Sequence, residues 1–499
     1  MVVASAAPYR GARPANPVEA AHPDTAGARV GKRALPPLRA FCHRRWFRPP
    51  SLGGTPNEGL PVSRIVFVGA GSVVFTRQLL ADLLRYDDLP ELDLRLFDVD
   101  ERRLAVAEAT ARQVSERLGR PVTVTATTDR RRALADADFV VDMVQIGGIA
   151  ATRTDLEIPE RYGLHQTIGD TTGVGGVFRA LRTFPFLTEL TADMREVAPD
   201  AVLLNYTNPM AMNIWWANTV APDITALGLC HSVYWTAHDL AGLLGLDVEQ
   251  TRFRAAGVNH QSWLLEWTHD GEDLYPRLRE RIRQDPELER RVRVEVFKRV
   301  GFYPTETSEH SSEYLSWFLR SPEQVDRFRL RPLEYVGISE DNVAEFEAAE
   351  RDLAAGRPVQ LEEGASEYAP QVIHSLVTGT EREIHANVPN AGLIDNLPAG
   401  CVVEVPTTVG AAGIAPIPMG ALPVQAAALN RPYVSVNELT VHAARTGDPV
   451  AIRQAVLMDP NASSTLTPEQ IWELCNDLVV AHGDLLPEPL RATIPARGI

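Results

Sequence analysis

Arg64-Ile65-Val66-Phe67-Val68 is a β-branched and aromatic run that stops at Gly69-Ala70-Gly71-Ser72 and leads into a helical pattern from Gln78 to Tyr86. A strand, a glycine turn and a helix in that order commit the chain to α/β alternation more firmly than any other feature. The alternation continues. A second strand, Leu92 to Phe97, ends at Asp98, and a helix from Arg102 to Leu118, a short strand from Val122 to Thr125 and a fourth strand from Phe139 to Val144 follow. Parallel α/β is the natural reading. A glycine turn at a helix N-terminus lets backbone N–H groups approach a pyrophosphate while the helix dipole favours the anion. A carboxylate at Asp98 suits a ribose diol and disfavours a 2′-phosphate, pointing to NAD over NADP. Gly69, Gly71, Ser72 and Asp98 are therefore the candidate cofactor contacts. Val74 stands where the full fingerprint has its third glycine, so a purely structural turn is the competing reading.

Beyond this half lies Gly169-Asp170-Thr171-Thr172-Gly173-Val174-Gly175-Gly176, too irregular for a strand and too short for a linker. It reads as a binding loop, with Asp170 suited to sugar hydroxyls or, more plainly, to a solvated turn. Ala201 to Leu204 is a buried strand running into Asn205-Tyr206-Thr207-Asn208-Pro209, where Asn208 is either a helix cap or a ligand contact. The strand Thr225 to Leu229 ends in Cys230-His231-Ser232-Val233, and Gly257-Val258-Asn259-His260 closes another apolar segment. Ligands of open α/β sheets bind at the carboxyl ends of strands. A thiol and an imidazole brought there can hold a divalent ion if substrate completes the shell; singly, each is as readily a core residue.

The chain carries a formal net charge of -16, which argues against nucleic acid as a partner and against anionic membranes. The four cysteines (Cys42, Cys230, Cys401, Cys475) are too sparse for a disulfide scaffold, and a reduced, cytoplasmic setting is the expectation. Residues 1–63 differ: nine Lys or Arg stand against three acids, with ten of the 37 prolines. They read as a disordered basic extension, either a real tail or the product of a start codon assigned too far upstream.

Together, Gly69-Ala70-Gly71-Ser72, Ile168-Gly169-Asp170, Asn205-Tyr206-Thr207-Asn208-Pro209, Cys230-His231-Ser232-Val233, Gly257-Val258-Asn259-His260 and Asn396-Leu397-Pro398 resemble glycoside hydrolase family four from Arg64 to about Pro487. The tetrapeptide at Cys230 is similar to that of its α-galactosidases, whereas members acting on 6-phosphosugars have Asp or Asn where this chain has His231. The resemblance implies a Rossmann-like NAD-binding domain over 64–259 and an α+β substrate and oligomerisation domain over 260–499, with the active site between them. It implies a homo-oligomer, a dimer or tetramer, acting on a small-molecule glycoside.

The mechanism it implies departs from the usual pair of carboxylates. NAD takes hydride from C3 of the sugar, the C2 proton is removed, the C1–O bond breaks by elimination, water adds, and the hydride returns. By the same resemblance Cys230 and His260 hold Mn²⁺ or another divalent ion, His231 is the general acid, and Asp170 and Asn208 hold the sugar. The C2 base is assigned to Glu295, in a helical stretch where Val294 stands in place of a tyrosine found in relatives; a solvated helical Glu is the alternative. The polar stretch Thr305 to Glu313 is expected to wall the substrate, with His310 touching substrate or metal or serving structure alone. Unphosphorylated α-galactosides are the expected substrates, ahead of α-glucosides or α-glucuronides. An ordinary NAD dehydrogenase and an NAD-sensing binding protein are the readings from other classes.

Overall fold

The structure, a computed structural model, describes residues 62–361 and 367–496. Of the expected N-terminal extension only Val62 and Ser63 fall within them, and Ser63 already opens the first strand; the rest, Cys42 included, lies outside the described residues.

Six strands, β1 (Ser63–Val68), β2 (Leu92–Phe97), β3 (Thr123–Thr127), β4 (Phe139–Asp142), β5 (Val202–Asn205) and β6 (Thr225–Leu229), pair in parallel in the order β3-β2-β1-β4-β5-β6. This is the doubly wound order of dinucleotide-binding folds. Strands of such sheets are covered by helices on both faces and so read as near-continuous apolar runs. Ile65, Val66, Phe67 and Val68 of β1 and all four residues of β5 are buried accordingly.

The sheet does not stop at β6. Seven more strands join it: β7 (Thr251–Val258), β8 (Gln261–His269), β9 (Glu272–Asp273), β10 (Tyr303–Pro304), β11 (Arg382–Pro389), β12 (Val402–Gly410) and β13 (Gly413–Pro416). β11 runs antiparallel to β6, with Ala386 opposite Leu229, and the path continues through β12, β7 and β8 to β10. The chain thus has the expected α/β class, a Rossmann-like half followed by an α+β half, built on one sheet. β7 precedes residue 260, yet it pairs with β8 and β12 and not with the parallel strands.

Two consequences position the site. The carboxyl ends of β1, β4, β5 and β6 open on the same side, where loops leave the sheet. The β7–β8 hairpin turns through only Asn259 and His260, so its tip is set by the sheet itself. His260 adopts φ 64°, a left-handed conformation that a side chain with a Cβ rarely takes, that costs about 1–3 kcal/mol and that persists only where its surroundings enforce it. They do: Tyr433 Oη donates to the carbonyl of Asn259 at 3.1 Å.

The C-terminal helix Pro468–His482 is tied to the first half by buried charge. Asp155 accepts from Arg182 through both oxygens (3.0 and 2.5 Å) and meets His482 Nε2 at 2.9 Å, all three side chains being inaccessible to solvent. Such a cluster keeps its parts together because removing one member strands the others in low dielectric. Among the described residues no helix is long and apolar enough to cross a membrane.

Candidate active site

The loop after the helix Gly148–Arg161 is shaped from beneath by one carboxylate. Glu313 Oε1 accepts the N–H groups of Thr167, Ile168 and Gly169 at 2.6, 2.8 and 2.9 Å. Charge-assisted bonds of this kind are stronger than neutral ones, and three of them hold the backbone that presents Asp170. The glycines downstream allow close packing: a Cβ on Gly175 would lie 2.3 Å from the carbonyl oxygen of Gly169.

Asp170 and Asn208, distant in sequence, meet directly, Asn208 Nδ2 donating to Asp170 Oδ2 at 2.8 Å. Thr171 Oγ1 donates to Asp170 Oδ1 at 2.6 Å and lies 2.9 Å from His260 Nδ1. Because the hydroxyl proton is committed to the carboxylate, Thr171 can only accept from His260, which puts the imidazole proton on Nδ1. Nε2 then carries a free lone pair. That atom is buried without a hydrogen-bond partner, an arrangement that suits a metal ligand whose other nitrogen is fixed by a second layer of contacts.

The structure supplies neighbours for such an ion. Cys230, at the end of β6, His260 and Glu306 each offer a donor atom, all within 4.8 Å of one another, and Asp170, His260 and His310 form a second group by the same measure. The donor chemistry of thiolate, imidazole and carboxylate fits a divalent transition metal. Without a cation, burial and the carboxylates of Glu306 and Glu404 push the Cys230 thiol well above its ordinary value; a bound cation reverses that balance by stabilising the thiolate.

The surrounding charges are interlocked. His310 Nε2 lies 3.4 Å from Asp170 Oδ1 and its Nδ1 lies 3.3 Å from Glu306 Oε1. Burial opposes protonation of His310, but Glu306 and Asp170 overcome it and raise its pKa to about 9. Burial likewise works to raise Glu306 and Asp170, and the facing histidines win, holding both carboxyls below their ordinary values. His260 goes the other way, lowered to about 4 by burial, and so stays neutral.

His231 stands immediately before the helix Ser232–Leu243, its Nδ1 2.9 Å from Glu367 Oε1, with the side chain 21% exposed. Burial lowers its pKa, and the Glu367 carboxylate more than compensates, leaving it raised. Asp170, His231, Glu306 and His310 share one cavity of about 370 Å³, within the usual range for small-ligand sites.

Glu295 does not line this cavity. Arg293, on the same helix Val292–Val300, lines the cavity and donates to Thr236 Oγ1 at 3.2 Å. Two residues further the side chain has swung about 200° around the axis, and Glu295 meets Arg299 at 2.8 Å, with Lys298 and Arg327 at 3.7 and 3.8 Å. It is drawn into an ion-pair cluster away from Cys230 and His260. Glu306 is the carboxylate beside them; the polar stretch from Thr305 marked the region, but nothing local singled it out. Thr171, Glu367 and Tyr314, whose Oη lies 3.4 Å from His260 Nδ1, were also missed.

At the other candidate site, the turn Gly69–Ser72 enters the helix Val73–Leu84, and Ser72 Oγ is buried without a partner at its start. The N–H of Gly71 donates to Asp98 Oδ2 at 2.8 Å, and a Cβ on Gly71 would lie 2.5 Å from that oxygen. An unpartnered hydroxyl, an open helix N-terminus and a buried acid at the end of β2 fit a dinucleotide. The helix Glu334–Ala354 crosses this place, bringing Asn342 and Phe346 to the glycine turn, with Arg103 4.4 Å over the Phe346 ring.

A model described as family 4 glycosyl hydrolase matches residues 64–246, and one described as the family 4 glycosyl hydrolase C-terminal domain matches residues 255–462. An α-galactosidase of Bacillus subtilis (strain 168) is 38% identical over 86% of this chain and 100% of its own length. An α-galactosidase of Rhizobium meliloti (strain 1021) is 34% identical over 87% of this chain and 91% of that protein. A crystal structure of a 6-phospho-α-glucosidase from gut microorganisms in complex with NAD and Mn²⁺ superposes with a TM-score of 0.74 at 21% identity, covering 86% of this chain and 100% of that one.

The Nδ1–H tautomer of His260 has a direct test. Thr171→Val removes the acceptor for His260 Nδ1–H and is expected to weaken Mn²⁺ binding by about 10–100-fold, measured by titration of the purified protein, whereas Thr171→Ser keeps the affinity. Equal affinity in wild type and the Val variant contradicts it.

Proposed function

The chain belongs to the family 4 glycosyl hydrolases, and from that premise we propose that it is an α-galactosidase of unphosphorylated α-galactosides that works with NAD and a divalent ion, Mn²⁺ in the first instance. The observation that carries the proposal is the buried, unpartnered His260 Nε2 in reach of the Cys230 thiol and the Glu306 carboxylate, above a paired Asp170 and Asn208. Its identity with two α-galactosidases over most of its length supports the substrate class. When bound, the nicotinamide supplies a reversible hydride acceptor and the cation a Lewis acid for the sugar oxygens.

The protein's own groups divide the remaining work. Cys230 and His260 hold the ion. Asp170 and Asn208 hold sugar hydroxyls, Asp170 being kept ionised by the facing His310. Glu306, also kept ionised, accepts the proton from C2 of the sugar. His231 gives a proton to the departing glycosidic oxygen; Glu367 both orients its ring and favours its charged form. A donor of this kind contributes about 10²–10⁴-fold in general. The N-terminus of the helix Val73–Leu84, with the unpartnered Ser72 hydroxyl, receives the pyrophosphate, and Asp98 the ribose diol.

With NAD, Mn²⁺ and thiol present, the protein is expected to cleave chromogenic α-galactoside far faster than the α-glucoside, α-glucuronide, α-galacturonide or 6-phosphoglycosides, with no net NADH. Preference for a phosphorylated sugar overturns the specificity, and stoichiometric NADH identifies a dehydrogenase instead. Glu306→Gln is expected to lose at least 100-fold in turnover and to stop exchange of the C2 hydrogen with solvent deuterium while still binding Mn²⁺. If Mn²⁺ binding is lost along with turnover, Glu306 is a ligand and not the base.

A further inference from the structure

One wall of the cavity is a single helix face. Ser232, Trp235, Thr236 and Asp239 all line it, at the i, i+3, i+4, i+7 spacing that puts side chains on one side of the helix Ser232–Leu243. The face begins immediately after Cys230 and His231. At about 1.5 Å rise per residue, Asp239 lies about 10 Å beyond Ser232 along the axis.

The outer part of this wall is chemically distinct from the inner part. Trp235 is 39% exposed, and it and Trp317 are the two exposed tryptophans among the described residues. Its ring is steadied edge-on by His238, with centroids 4.9 Å apart. Beside it Arg293 Nη2 lies 3.8 Å from Asp239 Oδ2, a separation too long for a direct hydrogen bond, and Arg293 Nε is buried without a partner. Thr236 Oγ1 accepts from both Arg293 Nη1 (3.2 Å) and the N–H of Glu306 (3.1 Å), which joins this outer pair to the inner carboxylate.

An indole face open to a cavity, flanked by a carboxylate and a guanidinium that are not saturated by each other, is what a pyranose requires. Its C–H face stacks on the aromatic ring while its edge hydroxyls donate to one group and accept from the other. The direction also agrees. A group that protonates the departing oxygen stands between the two sugars, and His231 is the residue from which this helix face runs outward.

We propose that Trp235, Asp239 and Arg293 form the subsite for the leaving group, and that it takes a hydroxyl-rich sugar in preference to a simple alcohol. The inference rests on the α-galactosidase reading and names the half of the substrate that the reading leaves open.

The test compares wild type, Trp235→Ala and Asp239→Ala, each with NAD and Mn²⁺, on melibiose, whose leaving group is glucose, and on α-galactosyl fluoride, whose leaving group has no ring or hydroxyls. The substitutions are expected to lower kcat/KM for melibiose at least tenfold more than for the fluoride. Equal losses on both substrates, or no loss on either, overturn the proposal. A changed subunit number in Trp235→Ala overturns it too, since the indole then belongs to a contact between copies. Free glucose titrated into the wild-type protein is further expected to change tryptophan fluorescence saturably, with the change absent in Trp235→Ala. If wild type cleaves neither substrate, the α-galactoside reading has failed and the glucose titration alone decides: a saturable signal that depends on Trp235 supports the subsite, and its absence refutes it.

Discussion

The hydrogen bond from His260 Nδ1 to Thr171 Oγ1 is the contact on which the site's chemistry depends. A neutral imidazole has one donor and one acceptor nitrogen, and the partner of one decides the role of the other. Here the partner's choice is itself forced, because Asp170 takes the threonine proton. The result is a lone pair on Nε2, buried with no hydrogen bond, on a residue already held in a left-handed backbone conformation. Burying a polar atom unpaired and straining the backbone both oppose folding. That the fold accepts both at one residue is understandable if an ion satisfies the atom.

Electrostatics around that atom are arranged so that neutralisation is mutual. Glu306 and Asp170 are held below their ordinary values by the histidines that face them, and His310 is raised because it sits between the two carboxylates. His260, in the same cluster, stays neutral. Behind them Glu404 is buried at the pairing position opposite Gly257, raised to about 7 by burial and held by Ser262, Asn387 and Asn259. These side chains come from β8, β11, β12 and the β7–β8 turn, so the antiparallel extension of the sheet serves as the floor of a site whose thiol comes from the parallel half.

Much of this was legible because parallel strands announce themselves. β1, β4, β5 and β6 are apolar runs and β2 an alternating one, each ending in or followed by Gly, Asp, Asn or Cys, and reading which residues follow each strand was enough to place Asp98, Asn208, Cys230 and His231 at one side of the sheet. Asp170, Asn208, Cys230 and His260 do come together. What could not be read locally were groups whose role is set by distant partners. Glu295 and Arg293 look equally good in a helical stretch, and only packing against Thr236 decides which faces the cavity. Thr171 is one hydroxyl in a polar loop until His260 stands beside it. Glu367 reaches His231 across 136 residues of sequence, and the helix Glu334–Ala354 reaches the glycine turn from a region whose own pattern says nothing about dinucleotides.

The proposed chemistry depends on a thiolate and an imidazole sharing one cation. Cobalt(II) added to the reduced protein reports this in its optical spectrum, because a thiolate ligand produces an intense charge-transfer absorption that oxygen and nitrogen ligands do not. Wild type is predicted to show that band at one equivalent of metal and Cys230→Ser to lose it. A wild-type spectrum without the band, or an identical band in the serine variant, contradicts the assignment of the metal centre and the mechanism built upon it.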